Sequence, residues 1–211
     1  MSTDPDEIGC CPKKLTLDDV IITGELTSRP ARRRNGFAQK QAFEVLMHEM
    51  AKPAGNTMQA LIETALQVCA AQSAGMSLIE SVGTQQQFRW YAVAGKWSRF
   101  LGGTMRRDLS PCGTVLDRNC PILMSRPHLH YPLPPEAIPT ISEVLLLPFH
   151  VGHKAVGTLW VITHDDTVSF DGEDLRVLAD LARYAADAYI VHSMEELKAD
   201  LDARLGSNSG N

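Results

Sequence analysis

The chain has 211 residues, a formal net charge of −5, 44% apolar residues and 21% charged ones. That length suits one domain with appended tails, and the apolar fraction is too high for a chain disordered throughout. The acidic balance excludes a generic nucleic-acid binder, which needs a basic face; Arg32-Arg33-Arg34 and Arg106-Arg107 are too short to reverse it. Met1 to Glu7 is polar and acidic, without the basic-then-apolar layout of a signal peptide. The longest strongly apolar stretch, Val144 to Phe149, falls far short of the roughly 18 residues of a membrane span. Five cysteines (Cys10, Cys11, Cys69, Cys112, Cys120) form an odd set at irregular spacing, which is no disulfide framework. These absences predict a cytoplasmic protein with reduced thiols.

Residues 1–36 carry little helical periodicity and several breakers (Pro5, Pro12, Gly24, Pro30, Gly36). They predict an extended arm with a short ordered piece around Leu15–Ile22. Phe43, Leu46, Met47 and Met50 recur at three- and four-residue steps, predicting an amphipathic helix over 36–51 that Pro53 stops. Asn56 or Thr57 can cap a second helix with the apolar stripe Met58, Leu61, Ile62, Ala65, Leu66 and Cys69.

The period then changes. Residues 74–81 and 87–94 predict a hairpin around Gly83, and a short strand follows at 104–107. Ser110-Pro111 reads as a helix start, with Ser as the cap and Pro in the first turn. Residues 121–125 predict a brief strand. The five prolines at 127, 132, 134, 135 and 139 predict a long loop without regular structure. Residues 143–151 and 155–164 form a second hairpin across Gly152-His153-Lys154. Asp171 can cap a last helix carrying Leu175, Leu178, Ala182, Ala185 and Tyr189, and Met194, Leu197, Leu201 and Leu205 extend its rhythm towards a frayed end at 207–211. No internal repeat is evident. This order predicts an α+β fold: a central, mainly antiparallel sheet of five or six strands, with N- and C-terminal helices on one face. The short helix and the long loop would form a pocket on the other.

Several stretches resemble a GAF domain, a small-molecule-sensing and dimerising module. They are ALIETALQVCAA at 60–71 with Ser73-Ala74-Gly75, SPCGTVLDR at 110–118, EVLLLPF at 143–149 with AVGTL at 155–159, and SFDGEDLRVLADLARYA at 169–185. Residues 91–113 and 145–150 are similar to the GAF region at the front of alphaproteobacterial sensor histidine kinases. The resemblance implies an arm at 1–36, a GAF-like sensor domain with its leading helix at 37–192, and a helix extension and tail at 193–211. No phosphoacceptor helix or ATP-binding glycine motif is seen before Asn211, so self-phosphorylation is not expected.

Cys112 is the most suggestive residue for chemistry. A thiol in the first turn of a helix capped by Ser110 would lie where backbone N–H groups favour a thiolate. Redox sensing, chromophore attachment and reductase chemistry are the functional readings; a packed, inert thiol is the plain one. Cys112-Gly113-Thr114 is similar to a cysteine motif of free methionine-(R)-sulfoxide reductase, a GAF-fold enzyme. That enzyme's further cysteine has no counterpart in 127–143, so no resolving partner is expected. Cys112, Cys120, His128 and His130 are chemically zinc-compatible, but their spacing matches no recognised finger, and no metal is expected. The phytochrome motifs that attach a bilin are absent, and Cys10-Cys11 lacks their surroundings.

Position in the family implies a ligand pocket lined by Phe88, Trp90, Trp97, Phe100, Ser110, Cys112, His128, His130, Tyr131 and Trp160. Aromatic walls suit a planar ligand such as a cyclic nucleotide or a tetrapyrrole, without naming the cofactor. Phe43, Leu46 and Met50, with Leu197, Leu201 and Leu205, read as apolar stripes outside the compact unit and predict a homodimer through the flanking helices. The expectation is therefore a non-catalytic sensory domain that binds a small molecule and relays its state to a downstream signalling protein. Nucleic acid and membrane are not expected partners.

Overall fold

The computed structural model describes residues 15–52, 56–132 and 140–208. Cys10-Cys11, Pro53, most of the proline loop and the last three residues lie outside these. The elements are α1 (Leu17–Val20), α2 (Gly36–Met50), α3 (Thr57–Val68), β1 (Ser73–Val82), β2 (Gln85–Gly95), β3 (Thr104–Arg106), α4 (Pro111–Arg118), β4 (Ile122–Ser125), β5 (Glu143–Val151), β6 (Lys154–Thr163) and α5 (Gly172–Asn208). The proline loop is not wholly irregular, because Pro127–Leu129 forms one 3-10 turn, a place where the fixed proline φ fits.

Six strands pair in the order β3-β2-β1-β6-β5-β4, every neighbour antiparallel. Alternation sorts their side chains into two cores. Met76, Leu145, Leu147, Leu159 and Val161 meet α2, α3 and α5 on one face. Phe88, Trp90, Val144, Leu146, Trp160 and Ile162 meet Cys112 and Val115 of α4 on the other. A sheet covered on both faces explains why Val144 to Phe149 reads as one continuous apolar run.

The capping expectations meet their partners. The Asn56 side chain accepts from the Gln59 N–H, and Ser110 Oγ accepts from the Gly113 N–H at 3.2 Å. Asp171 Oδ1 accepts from the Glu173 and Asp174 N–H groups at 2.9 and 3.1 Å, opening α5. That helix runs unbroken for 37 residues. Two expectations about the flanks need correction. Leu46 is fully buried, while Phe43 and Met50 pack against the same core, because Ala42 lets α2 lie closely on α3. The Thr64 hydroxyl reaches the Ala42 carbonyl at 3.4 Å across that contact. The exposed apolar residues of α2 are instead Phe37, Val45 and Met47.

Residues 15–34 are also docked rather than simply extended. Ile21 bridges Met124 on the outer side of β4, the Ile22 N–H donates to the Leu123 carbonyl at 2.9 Å, and the Leu123 N–H donates to Thr23 Oγ1. Leu17 and Ile21 rest on the α4-side core, and Val20 and Leu26 are buried. Further along, Arg29 binds both Glu143 oxygens at 2.8 and 3.0 Å and the Phe170 carbonyl. Arg32 reaches Asp174 at 2.5 Å, and Arg34 reaches Asp171 at 2.7 Å and Asp174 at 2.8 Å. Arg32 and Arg34 of the basic run are thus engaged within the chain, at the first turn of α5.

Burial pushes the Asp171 carboxyl up. The N–H groups of Arg32, Asp174 and Glu173 and the charge of Arg34 outweigh it, leaving Asp171 below its ordinary 3.8. A depressed carboxylate adds stability above its unfolded value, which is lost as pH falls through the folded one. Asp171→Asn is therefore expected to lower stability at neutral pH yet lose less on acidification below about pH 4. Urea midpoints of both proteins between pH 3 and 7 check this.

Candidate functional site

The α4-side face gathers most of the residues expected to line a pocket. Phe88, Trp90, Trp97, Cys112, Tyr131 and Trp160 are buried in one cluster, with Phe100 packed at its edge. Gly95 and Lys96 carry the chain from β2 into the short turn Ser98–Phe100, which brings Trp97 and Phe100 back over Trp90. Ring centroids stand 6.0 Å apart for Trp90–Trp97, 5.4 Å for Trp97–Phe100 and 6.2 Å for Trp97–Trp160. The aromatic wall is therefore packed on itself.

Trp160 occupies the centre of the face. Its indole lies on Gly75 of β1, where a Cβ would fall 2.1 Å from Cζ2, and its Nε1 donates to Ser77 Oγ at 2.9 Å. The sequence signal for this bed is the small-residue alternation Ser73, Gly75, Ser77, which the pocket assignment overlooked. Ser77 and Thr158 were missed with it, although their hydroxyls surround the Cys112 thiol together with Ser110. Tyr131 closes the side by a 2.6 Å hydrogen bond with Thr114 on α4.

The two loop histidines differ. His130 Nδ1 is 2.9 Å from the Leu15 carbonyl and its ring meets that of Tyr131 edge to face at 4.7 Å, so it ties the arm to the face. His128 is half-buried, and its Nδ1 is buried without a hydrogen-bond partner among the described residues. Trp97 Nε1 is in the same condition. Among the described residues no group of three or more His, Cys, Asp or Glu side chains could hold a metal ion. No described helix is long and apolar enough to cross a membrane.

Helix position alone had suggested a reactive Cys112. Burial reverses that: it pushes the thiol up, and the hydroxyls of Thr158, Ser77 and Ser110 only partly offset the loss of water. Cys69 is buried in the opposite core and also raised, whereas Cys120 is exposed. Iodoacetamide is expected to modify Cys120 at least about tenfold faster than Cys112 or Cys69 in the native protein. Peptide mapping over a time course measures the ratio.

A sequence model of the GAF domain matches residues 54–189. The chain belongs to the GAF domain family. Among solved structures, this GAF domain is similar to that of a phosphoenolpyruvate-protein phosphotransferase from Coxiella burnetii, at 18% identity and TM-score 0.62, over 77% of this chain and 98% of that one. The GAF-B domain of DevS from Mycobacterium smegmatis matches at 15% identity and TM-score 0.53, over 67% and 96%. A type II free methionine-R-sulfoxide reductase from Thermoplasma acidophilum matches at 14% and 0.52, over 74% and 96%. No curated protein matches the sequence. At these identities the structural likeness establishes the GAF fold, a fold commonly used in sensing and regulation.

Proposed function

We propose that this GAF domain is a non-catalytic, cytoplasmic sensory module that binds a small molecule on the α4-side face and relays its state through paired flanking helices. The carrying observation is a pair of buried polar atoms on the aromatic face, Trp97 Nε1 and His128 Nδ1, without hydrogen-bond partners among the described residues; Thr158 Oγ1 beside Cys112 is in the same condition. Buried polar groups are nearly always hydrogen bonded, and a bound polar molecule would supply what these two lack. Because Trp160 fills the centre, the ligand is small; a tetrapyrrole would have to displace the indole from Gly75. The relay half rests on α5, where Ile190, Met194, Leu197 and Leu201 are exposed at four-, three- and four-residue steps. That heptad spacing suits a second copy of the helix. A two-component role downstream fits the resemblance to sensor-kinase GAF regions.

Native mass spectrometry of protein purified from its own host tests the ligand half. A bound mass that disappears in Trp97→Phe is expected; a clean apoprotein mass refutes it. Leu197→Glu with Leu201→Glu is expected to convert a dimer to monomer in light scattering, and a wild-type monomer refutes the relay half. The close seating of Trp160 on Gly75 favours a second reading, a ligand-free dimerisation module, which the apoprotein result would support. Thiol catalysis has less support, since Cys112 is buried and raised.

A further inference from the structure

One seam follows the outer face of α5. Arg176, Asp180, Arg183, Asp187, Ile190, Met194, Leu197 and Leu201 succeed one another at alternating four- and three-residue steps, and each is exposed or partly so. That alternation keeps a line of positions turned towards one neighbouring helix. The seam has two halves. On the domain it alternates Arg, Asp, Arg, Asp; beyond the domain it is Ile, Met, Leu, Leu. The next step falls at position 204, an arginine in the sequence. Glu195 and Asp202 fall off the seam.

The apolar half spans residues 190 to 201, about 16 Å of helix at 1.5 Å per residue. So short a contact is marginal, and the charged positions that border it decide how a second copy can lie. In a parallel, in-register pair each residue meets its own counterpart. Asp187 then faces Asp187 and Arg183 faces Arg183 at one end, and position 204 faces position 204 at the other. Like charges would close the apolar stretch on both sides, an arrangement that disfavours the pair. Sliding one helix by a step relieves this only by setting an apolar residue against a charge and breaking the two-fold symmetry of a closed dimer.

Turning one helix end for end removes the conflict. Ile190 comes level with Leu201 of the second copy and Met194 with Leu197, so all four apolar positions of each chain stay matched. Asp187 comes level with position 204, acid against base, at both ends of the contact. Asp180 and Arg176 pass beyond the last helical residue of the other copy, Asn208. Arg176 already has partners in its own chain, Glu173 at 2.6 Å and Asp180 at 3.1 Å.

We infer that the occupant of this face is a second copy of the chain with its α5 antiparallel to the first. The inference rests on the relay reading for the pairing itself and adds its direction. The two GAF domains then stand at opposite ends of the helix pair, and each α5 ends alongside the other copy's domain. A change in one domain is delivered to the other domain rather than to a shared exit.

Disulfide trapping in the full chain tests the direction, in a background with Cys10, Cys11 and Cys120 replaced by Ser. Ile190→Cys and Leu201→Cys are expected not to cross-link singly, because each lies about 16 Å along the axis from its own counterpart. Mixed and allowed to exchange, the two variants are expected to form a cross-linked dimer under mild oxidation. A charge swap checks this without cysteines. Asp187→Arg is expected to weaken dimerisation about three- to tenfold, and adding Arg204→Asp to the same chain to restore it. A parallel pair predicts neither effect, since both layers stay like-charged throughout. Cross-linking of Ile190→Cys alone, or a dimer that links in neither combination, overturns the inference and leaves dimerisation standing. A wild-type monomer in light scattering overturns the pairing and its direction together.

Discussion

Trp160→Ala is expected to destabilise the protein by about 3–5 kcal/mol, through the lost transfer energy of the indole plus the cavity it leaves. For a chain of this size that is a fall in Tm of roughly 10 °C. Two features place it at the upper end. The indole rests directly on Gly75, which has no side chain to refill the space from the sheet, and Ser77 Oγ loses its 2.9 Å donor. The sheet beneath is rigid, which limits collapse around the gap. Millimolar indole should restore part of the Tm by occupying the vacated site, following the usual dependence on free ligand. Differential scanning calorimetry with and without indole measures both effects. A loss below about 1 kcal/mol, or no response to indole, would show that the face is loosely packed.

A second large effect is expected from Asp174→Ala, again about 3–5 kcal/mol, for a different reason. Asp174 is fully buried and faces Arg32 at 2.5 Å and Arg34 at 2.8 Å, and its Oδ2 accepts the Asp171 N–H at 2.9 Å. Burial raises its carboxyl, against the backbone hydrogen bond from Asp171 and the charge of Arg32. Removing it leaves two partly buried guanidinium groups sharing Asp171 alone. The loss reflects charges left without partners rather than the intrinsic worth of an ion pair. Replacing Arg32 and Arg34 by Met together with Asp174→Leu is accordingly expected to recover most of it. Urea unfolding of the single and combined variants decides; a combined variant no better than Asp174→Ala would mean the arginines hold the arm in some other way.

Much of the fold was legible because its signals are local. The α3 stripe from Met58 to Cys69 buries almost as spaced, and Ser110-Pro111 and Asp171 each cap the helix they announce. The gathering of the aromatic residues on one face could be read from element order and family resemblance. Its packed centre could not, since nothing in the spacing of Gly75 and Trp160 says that they meet across a strand pair. Leu46 was misjudged because periodicity identifies an apolar face without saying what covers it. A bulge at Tyr91, where Met76 pairs with Ala92 but Ser77 with Trp90, was invisible for a related reason: Trp90, Tyr91 and Ala92 are all acceptable strand residues, and only the register reveals the extra one. The pairing of Arg32 and Arg34 with Asp171 and Asp174 spans about 140 residues of sequence, beyond the reach of any local rule.

The docked arm has a consequence for how copies of the protein can meet. A sheet ends in two unpaired strands, and such borders invite further strands, correct or not. Here the β4 border is taken by residues 21–23 of the same chain, and the opposite border, β3, offers only three residues. Uncontrolled growth by strand addition is closed off at one side and too short to be stable at the other. A second molecule is left with the helical surface, where Ile190, Met194, Leu197 and Leu201 stand exposed. If copies pair as proposed, their contact is therefore a finite, helix-mediated one instead of an open-ended ribbon.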